Sequence, residues 1–405
     1  MGKNKTMDRR DFLKLGAGLT GVAVVAGCAP SLIFRGGAVS SDNGLGFEDV
    51  PFVDLHRHLE AGLSPEMVAT LAQRNKVEKI LKYKSDEALP LDPQDPESIQ
   101  EYFRQIIPTF KTPKGFRNFL SSLSVPLSVI KSLEDLRDVT RWQIQEQALK
   151  GCVHLEFRGS PYTYKAAVDG EPSYEEVIGA IHDGIRSMYE KSGLSATYIA
   201  CFSKQKADQY AEGVVDVVAK MHTSDFPLGL DLAGVEPGFP PSKFRDVIAP
   251  VREAGAPITI HAGEQSRPPR FEKAPASFIS EAIDVGARRI GHGTSLISDP
   301  RLMDYCRDKG VHVETCPVSN DLLGYMPVSQ HPLRQFLDHG ISVSVGTDDP
   351  LSFGSESVRE LLIRNADALR ISPEDVVRMT QYGVEAAFVS DKRRQELRKK
   401  IGVVS

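Results

Sequence analysis

The sequence predicts an α/β fold, a (β/α)8 barrel with a helical insertion after its first strand. Eight short apolar runs recur along the body of the 405-residue chain, separated by amphipathic stretches long enough for helices. Several of the runs close on His, Glu or Asp, as strands do where they deliver side chains to the mouth of such a barrel. The length also suits a barrel, because α/β barrels routinely use this much sequence as a single unit.

The chain opens on a segment that stands outside this pattern. "MDRRDFLKLGAGLTGVAVVAGCAP" carries a basic start, the pair Arg9 and Arg10, and a Gly/Ala/Val/Leu run too short and glycine-rich for a stable transmembrane helix. "RRDFLK" resembles the twin-arginine export motif, and "VAGC" resembles a bacterial lipobox whose cysteine, Cys28, receives lipid. Residues 1–27 are therefore expected to be a signal peptide. Residues 28–46, rich in Gly and Ser, read as a lipidated tether. The expected location is the cell envelope, on a membrane reached by the twin-arginine route.

The barrel is expected over residues 47–395. Its strands are "PFVDLHRH" from Pro51, "GCVHLEFRGS" from Gly151, "ATYIACFS" from Ala196, "PLGLDLAG" from Pro227, "PITIHAGE" from Pro257, "RRIGHG" from Arg288, "VHVETCPVSN" from Val311 and "ISVSVGTDDP" from Ile341. Between them, "EEVIGAIHDGIRSMYEK" and "AEGVVDVVAKMH" repeat apolar residues at spacings of three and four, which predicts helices. The insertion, residues 59–150, reads as mostly helical.

Composition narrows the partners. With 41% hydrophobic and 25% charged residues, a formal net charge of -5 and no long run of one sign, the chain does not ask for nucleic acid. Cys152, Cys201, Cys306 and Cys316 form no C-x-x-C pair and read as buried thiols. No P-C-x-x-C is present, so a cytidine-deaminase type of zinc site is absent.

Chemistry enters at the run ends. In a strand, residues i and i+2 point the same way, so His56 and His58 can face one ligand. At a barrel mouth they meet His261, Glu264, His292, Asp348 and Asp349. Three imidazoles and one carboxylate, His56, His58, His261 and Asp348, suit one Zn²⁺ per chain with a position left for water. Such a water ionises near neutral pH. Glu264, three residues past His261, is then a proton donor beside the metal, His292 a base for the water, and Asp349 an orienting group. Taken singly, each has a plainer role: His292 as a packed core histidine, Glu264 as an ion-pair partner, Asp348 and Asp349 as a helix N-cap pair before Pro350.

The segments "LHRHLE", "DLAG", "HAGE", "RIGHG", "CPVSN" and "GTDDP", in this order across roughly residues 50 to 390, resemble the adenosine deaminase family of metal-dependent hydrolases. The resemblance implies the same zinc set, His56, His58, His261 and Asp348. It implies that Glu264 shares its proton with purine N1, that His292 and Asp349 hold and deprotonate the attacking water, and that Asp349 faces N7. It further implies that the Gly234 N–H meets purine N3, where a glycine lets the ring approach closely. The substrate is then adenosine or deoxyadenosine, a small-molecule purine nucleoside.

Two departures bear on the substrate. The first motif of the family continues with an acid and a glycine, whereas Glu60 is followed here by Ala61, with Gly62 one place late. Glu60 can still reach a ribose hydroxyl. Val235 stands where many relatives are acidic. Other readings keep the chemistry and change the substrate to adenine or to a modified adenosine such as aminodeoxyfutalosine, or make the chain a catalytically silent nucleoside-binding lipoprotein. A binuclear amidohydrolase is disfavoured because "GLDLAG" supplies no bridging lysine.

Overall fold

Polar and apolar residues alternate along the apolar runs, and this alternation sorts side chains to the two faces of one curved sheet. In a computed structural model describing residues 45–112, 115–264 and 275–402, the eight runs form eight parallel strands in the order β1 to β8. They are Phe52–His58, Cys152–Gly159, Ser195–Ser203, Leu228–Ala233, Ile258–Ala262, Arg289–His292, His312–Thr315 and Ser342–Val345. Each expected run therefore contains its strand. The leader, with Arg9, Arg10 and Cys28, lies outside the described residues. Among the described residues, no helix is long and apolar enough to cross a membrane.

The barrel closes just beyond β8. Arg57 of β1 forms a parallel bridge with Asp348. The His58 N–H donates to the Asp348 carbonyl and the Asp348 N–H to the His56 carbonyl, both at 2.8 Å. The seam thus runs through three residues of the expected site.

The longest helix between the strands forms where the sequence caps it. Tyr174–Ser192, expected from Glu175 to Lys191, begins on a Ser173–Glu176 capping box and ends at Gly193, whose φ of 68° only glycine adopts cheaply. Ala207–Met221 starts four residues before the expected Ala211. The insertion is helical over Pro65–Arg74, Pro96–Ile106, Gly115–Val129 and Leu133–Leu149. Its helices bring Phe110 and Phe119 against Phe353, which follows β8, with Phe119 and Phe353 stacked at 5.4 Å. The insertion is thereby held beside the C-terminal ends of the strands.

The inner face is unusual for such barrels, which bulky aliphatic residues normally fill. In β2, His154, Glu156 and Arg158 share the polar face, while Leu155 and Phe157 join the main apolar core and Val153 a second cluster with Val384 and Leu397. Glu314 of β7, Arg289 of β6, Asp231 of β4 and Thr259 of β5 meet this polar face and are fully or almost fully buried. The four described cysteines are buried and unpaired.

Candidate active site

The closing seam sets the geometry of the site. Because Asp348 is pinned between the His56 and His58 backbones, its Oδ1 lies 3.5 Å from Nε2 of each imidazole. Asp348 adopts φ 60°, and His292 at the end of β6 adopts φ 61°. Left-handed backbone is uncommon outside glycine, and such strain collects at functional positions. From β5, His261 brings its ring to 4.8 Å from that of His56 and 6.2 Å from that of His58. A side chain at Gly291 would stand 3.2 Å from His56 Cε1 and 3.3 Å from the His261 ring, so glycine there makes room for both imidazoles.

These donors fit a divalent cation. His56, His58 and His261 each offer a ligand atom within 4.8 Å of the others, and Asp348 shares such a cluster with His56 and another with His58. His56 Nε2 is buried with no hydrogen-bond partner, which is costly unless something else occupies its lone pair. Burial pushes His58 down to about 3 and lowers His261, keeping both as neutral ligands. Burial opposes ionisation of Asp348, yet the His56 ring 3.5 Å away and the charges of the neighbouring histidines hold it well below the usual carboxylate range.

The imidazoles are aimed by carboxylates that the sequence reading did not single out. His56 Nδ1 lies 2.9 Å from Glu314 Oε2, and His261 Nδ1 lies 3.1 Å from Asp231 Oδ1. A carboxylate on Nδ1 fixes the tautomer that leaves Nε2 free for metal. Arg158 ties both carboxylates together, donating to Asp231 at 2.9 Å and to Glu314 at 2.6 Å. Arg289 and Thr259 hold the other Glu314 oxygen at 2.6 and 2.9 Å. The alternation "HLEFR" and "HVET" carries the signal for these residues, since their polar positions fall on the inner face.

The two residues expected to handle protons, Glu264 and His292, adjoin this cluster. Glu264 Oε1 is 3.4 Å from His292 Nδ1, and His292 Nε2 is 4.0 Å from Asp348 Oδ2. Burial, then the charges of Asp348 and Glu236, raises Glu264 well above the usual carboxylate value. Burial pushes His292 well below the usual histidine value. The two shifts run in opposite directions, the carboxyl toward its acid form and the imidazole toward its neutral form, a division of labour suited to acid–base chemistry. Asp349 is raised by burial and by Asp348 beside it. It occupies the N-cap position of Pro350–Phe353 but its side chain makes no cap bond, so capping does not account for it.

The remaining residues frame the pocket. Gly234 has φ 90°, and a Cβ there would stand 2.4 Å from Gln205 Oε1 and 2.8 Å from Ser203 Oγ, so glycine is required twice over. Glu60, in the turn after β1, accepts a hydrogen bond from the buried Tyr164 hydroxyl, and burial raises its pKa. Glu236, next to Val235, accepts from the Gly263 and Glu264 N–H groups at 2.8 and 2.9 Å and so shapes the "HAGE" turn. Cys316, read as a plain buried thiol, places Sγ in a cluster with His56, His292 and Asp348. The fourth strand has no lysine, and the buried Lys204 after β3 donates to the His261 carbonyl.

The profile of the adenosine deaminase family matches residues 51–404. The adenosine deaminase of Serratia proteamaculans is 31% identical over 353 residues, 87% of this chain and 98% of its own. That of Photorhabdus laumondii is 33% identical over 353 residues, 87% and 97% of the two chains. The adenine deaminase of Arthrobacter aurescens superposes with a TM-score of 0.72 at 27% identity, covering 87% of this chain and 98% of its own. An amidohydrolase of Burkholderia ambifaria with bound zinc shares the fold, with a TM-score of 0.69 at 20% identity over 89% and 94% of the two chains. The chain belongs to the adenosine deaminase family.

Proposed function

We propose that this chain catalyses zinc-dependent hydrolytic deamination of adenosine and deoxyadenosine, giving inosine or deoxyinosine and ammonia. It acts as a hydrolase on the C–N bond of a cyclic amidine. The observation that carries this is the acid–imidazole pair, Glu264 and His292, set 3.4 Å apart beside three imidazoles and a carboxylate. His56, His58, His261 and Asp348 would hold the zinc, whose nitrogen and oxygen donors suit that ion. Zinc held there supplies a water activated for attack near neutral pH.

The chain's own residues do the rest. Glu264 enters protonated and gives its proton to purine N1, which draws electrons from C6. His292 and Asp349 hold the attacking water against that carbon and take up its proton. The Gly234 N–H meets N3, and Asp349 faces N7. Lipid on Cys28 and twin-arginine export place the enzyme in the cell envelope.

A second reading, adenine as substrate, draws on two observations. Glu60, the residue expected to meet a ribose hydroxyl, already receives the Tyr164 hydroxyl. The Arthrobacter aurescens structure at 27% identity is an adenine deaminase. Ammonia release from adenine, adenosine, deoxyadenosine and 5′-modified adenosines by zinc-loaded mature protein separates the readings. Highest kcat/KM on adenosine or deoxyadenosine is expected. Preference for adenine transfers the role to the second reading, and inactivity on every compound leaves a silent nucleoside-binding lipoprotein.

A further inference from the structure

The last helix, Asp391–Lys400, reads "DKRRQELRKK", six cations against two acids in a chain whose net charge is -5. Arg398, Lys399 and Lys400 stand in its last turn, where the helix dipole favours cations. Lys392, Arg393 and Arg394 stand at its other end, where the same dipole opposes them. Helix stability alone does not call for cations there. Arg393 pairs with Glu396, Arg398 with Glu385, and Arg394 donates to the Val384 and Ala387 carbonyls. Lys392 and Lys399 are exposed and two helical turns apart, so they share one face. Among the described residues, neither side chain has a hydrogen-bond or ion-pair partner.

The place of this helix on the barrel gives the charge a direction. Leu397 and Ile401 pack with Val53 and Val153, the second residues of β1 and β2. Lys400 Nζ donates at 3.2 Å to the carbonyl of Gly193, just ahead of β3. The helix therefore covers strand starts, the end of the barrel opposite the candidate site. Beside it lies a cavity of about 580 Å³, lined by Arg394 and by Arg288 and Lys309, which stand just ahead of β6 and β7. Arg288 and Lys309 are also exposed and, among the described residues, without a side-chain partner. Glu385, the acid in that lining, is engaged by Arg398.

The same end receives the chain from the leader. The chain enters the sheet at Phe52, next to the Val53 on which the helix packs. The inference rests on the reading of Cys28 as the lipidated residue. Residues 29–44 then separate the lipid from Leu45, and a chain of that length reaches at most about 55 Å. The barrel is confined beside a bilayer, where a weak contact is made at high effective concentration. We propose that the helix Asp391–Lys400, with Arg288 and Lys309, docks the strand-start end of the barrel on anionic lipid headgroups. Such headgroups attract basic segments only within about a Debye length, so exposed and unpaired cations are the ones that can serve. The mouth of the site then opens away from the bilayer, toward dissolved substrate.

The test is partition onto vesicles by full-length Cys28→Ser protein, which carries no lipid. Binding constants are measured on phosphatidylcholine vesicles and on vesicles in which about 30% of the lipid is phosphatidylglycerol. Their ratio cancels the apolar contribution of the leader, which every protein compared retains. At about 0.05 M salt, Lys392→Gln with Lys399→Gln should lower that ratio roughly tenfold, and adding Arg288→Gln with Lys309→Gln should lower it further. None of these substitutions removes a bond, so the helix stays in place. At about 0.5 M salt the differences should vanish, because the attraction is screened. A ratio that the substitutions leave unmoved, or a difference that survives high salt, overturns the proposal. Self-association of the Cys28→Ser protein that Lys392→Gln with Lys399→Gln abolishes would give the face to a second copy and overturn it too. Metabolic lipid labelling reads Cys28 separately: an unlabelled wild type counts against the leader reading, and the vesicle ratio still decides the docking face.

Discussion

Glu264→Gln tests the mechanism apart from the fold. The carboxyl bonds Asn320 at 3.1 Å, and burial with the charges of Asp348 and Glu236 keeps it protonated well above the usual carboxylate range. Glutamine has the same shape and the same zero charge, and its amide oxygen can still accept from Asn320. What it lacks is the acidic hydrogen. General acid catalysis contributes about a hundredfold to ten-thousandfold, so the barrier should rise by roughly 3–5 kcal/mol, appearing in kcat with metal content unchanged. Stability supplies an independent reading. A carboxyl whose folded pKa is raised above its ordinary 4.5 contributes stability that is full below that value and is lost as pH climbs through the folded value. Glutamine does not titrate, so the metal-free variant should gain on metal-free wild type as pH rises above that value. Ammonia release, elemental analysis and thermal unfolding between about pH 5 and about pH 8 check these outcomes. Loss of metal would make Glu264 a ligand, near-normal kcat would move the proton elsewhere, and a stability gap that shrinks with pH would refute the raised pKa.

Other residues answer to other measurements. Glu314→Gln places an NH2 against donors, His56 and Arg158 on one side or Arg289 and Thr259 on the other. Chelator competition should show metal affinity down about tenfold to a hundredfold, and unpairing a buried charge should cost about 3–5 kcal/mol in unfolding; unchanged affinity would refute the aiming role. His261→Ala should lose metal and activity together, and elemental analysis of wild type should give about one zinc per chain. Two equivalents, or metal retained in the variant, would overturn the ligand set. Arg9→Lys with Arg10→Lys should hold the protein in the cytoplasm, and Cys28→Ser should abolish lipid labelling. Undiminished export or persisting label would refute the leader reading.

The strands were legible because their signal is local. Each apolar run from Pro51 to Ile341 contains a strand, since β-branched and aromatic residues mark the segment wherever it finally packs. His56, His58, His261 and Asp348 were legible for a related reason: they stand at strand ends, and the barrel brings all such ends to one face. Glu314 and Arg158 were not. The meaning of Glu314 comes from His56, 258 positions away, and that of Arg158 from Asp231, 73 positions away. Neither pairing leaves a trace in a window of sequence. Asn320 was visible only as the last letter of "CPVSN", because its chemistry lies in which atoms its amide meets.

The buried charges inside the barrel bear on why this fold carries this site. Arg158, Arg289, Glu314, Asp231 and Glu156 would be a poor way to stabilise a core, since desolvating ions costs about as much as pairing them returns. Their arrangement makes sense as support. Arg158 reaches the carboxylates behind His56 and His261 and also bonds the Leu55 carbonyl in β1, so three strands are registered by one guanidinium. Rings held this way cannot swing into the interior when no metal is present, and Nε2 of each stays turned toward the mouth. The fourth donor is set differently, by backbone bonds across the β1–β8 seam. Two side-chain donors are thus aimed by buried ions and one by barrel closure, and a change that loosens either should reach the metal site before it reaches the fold.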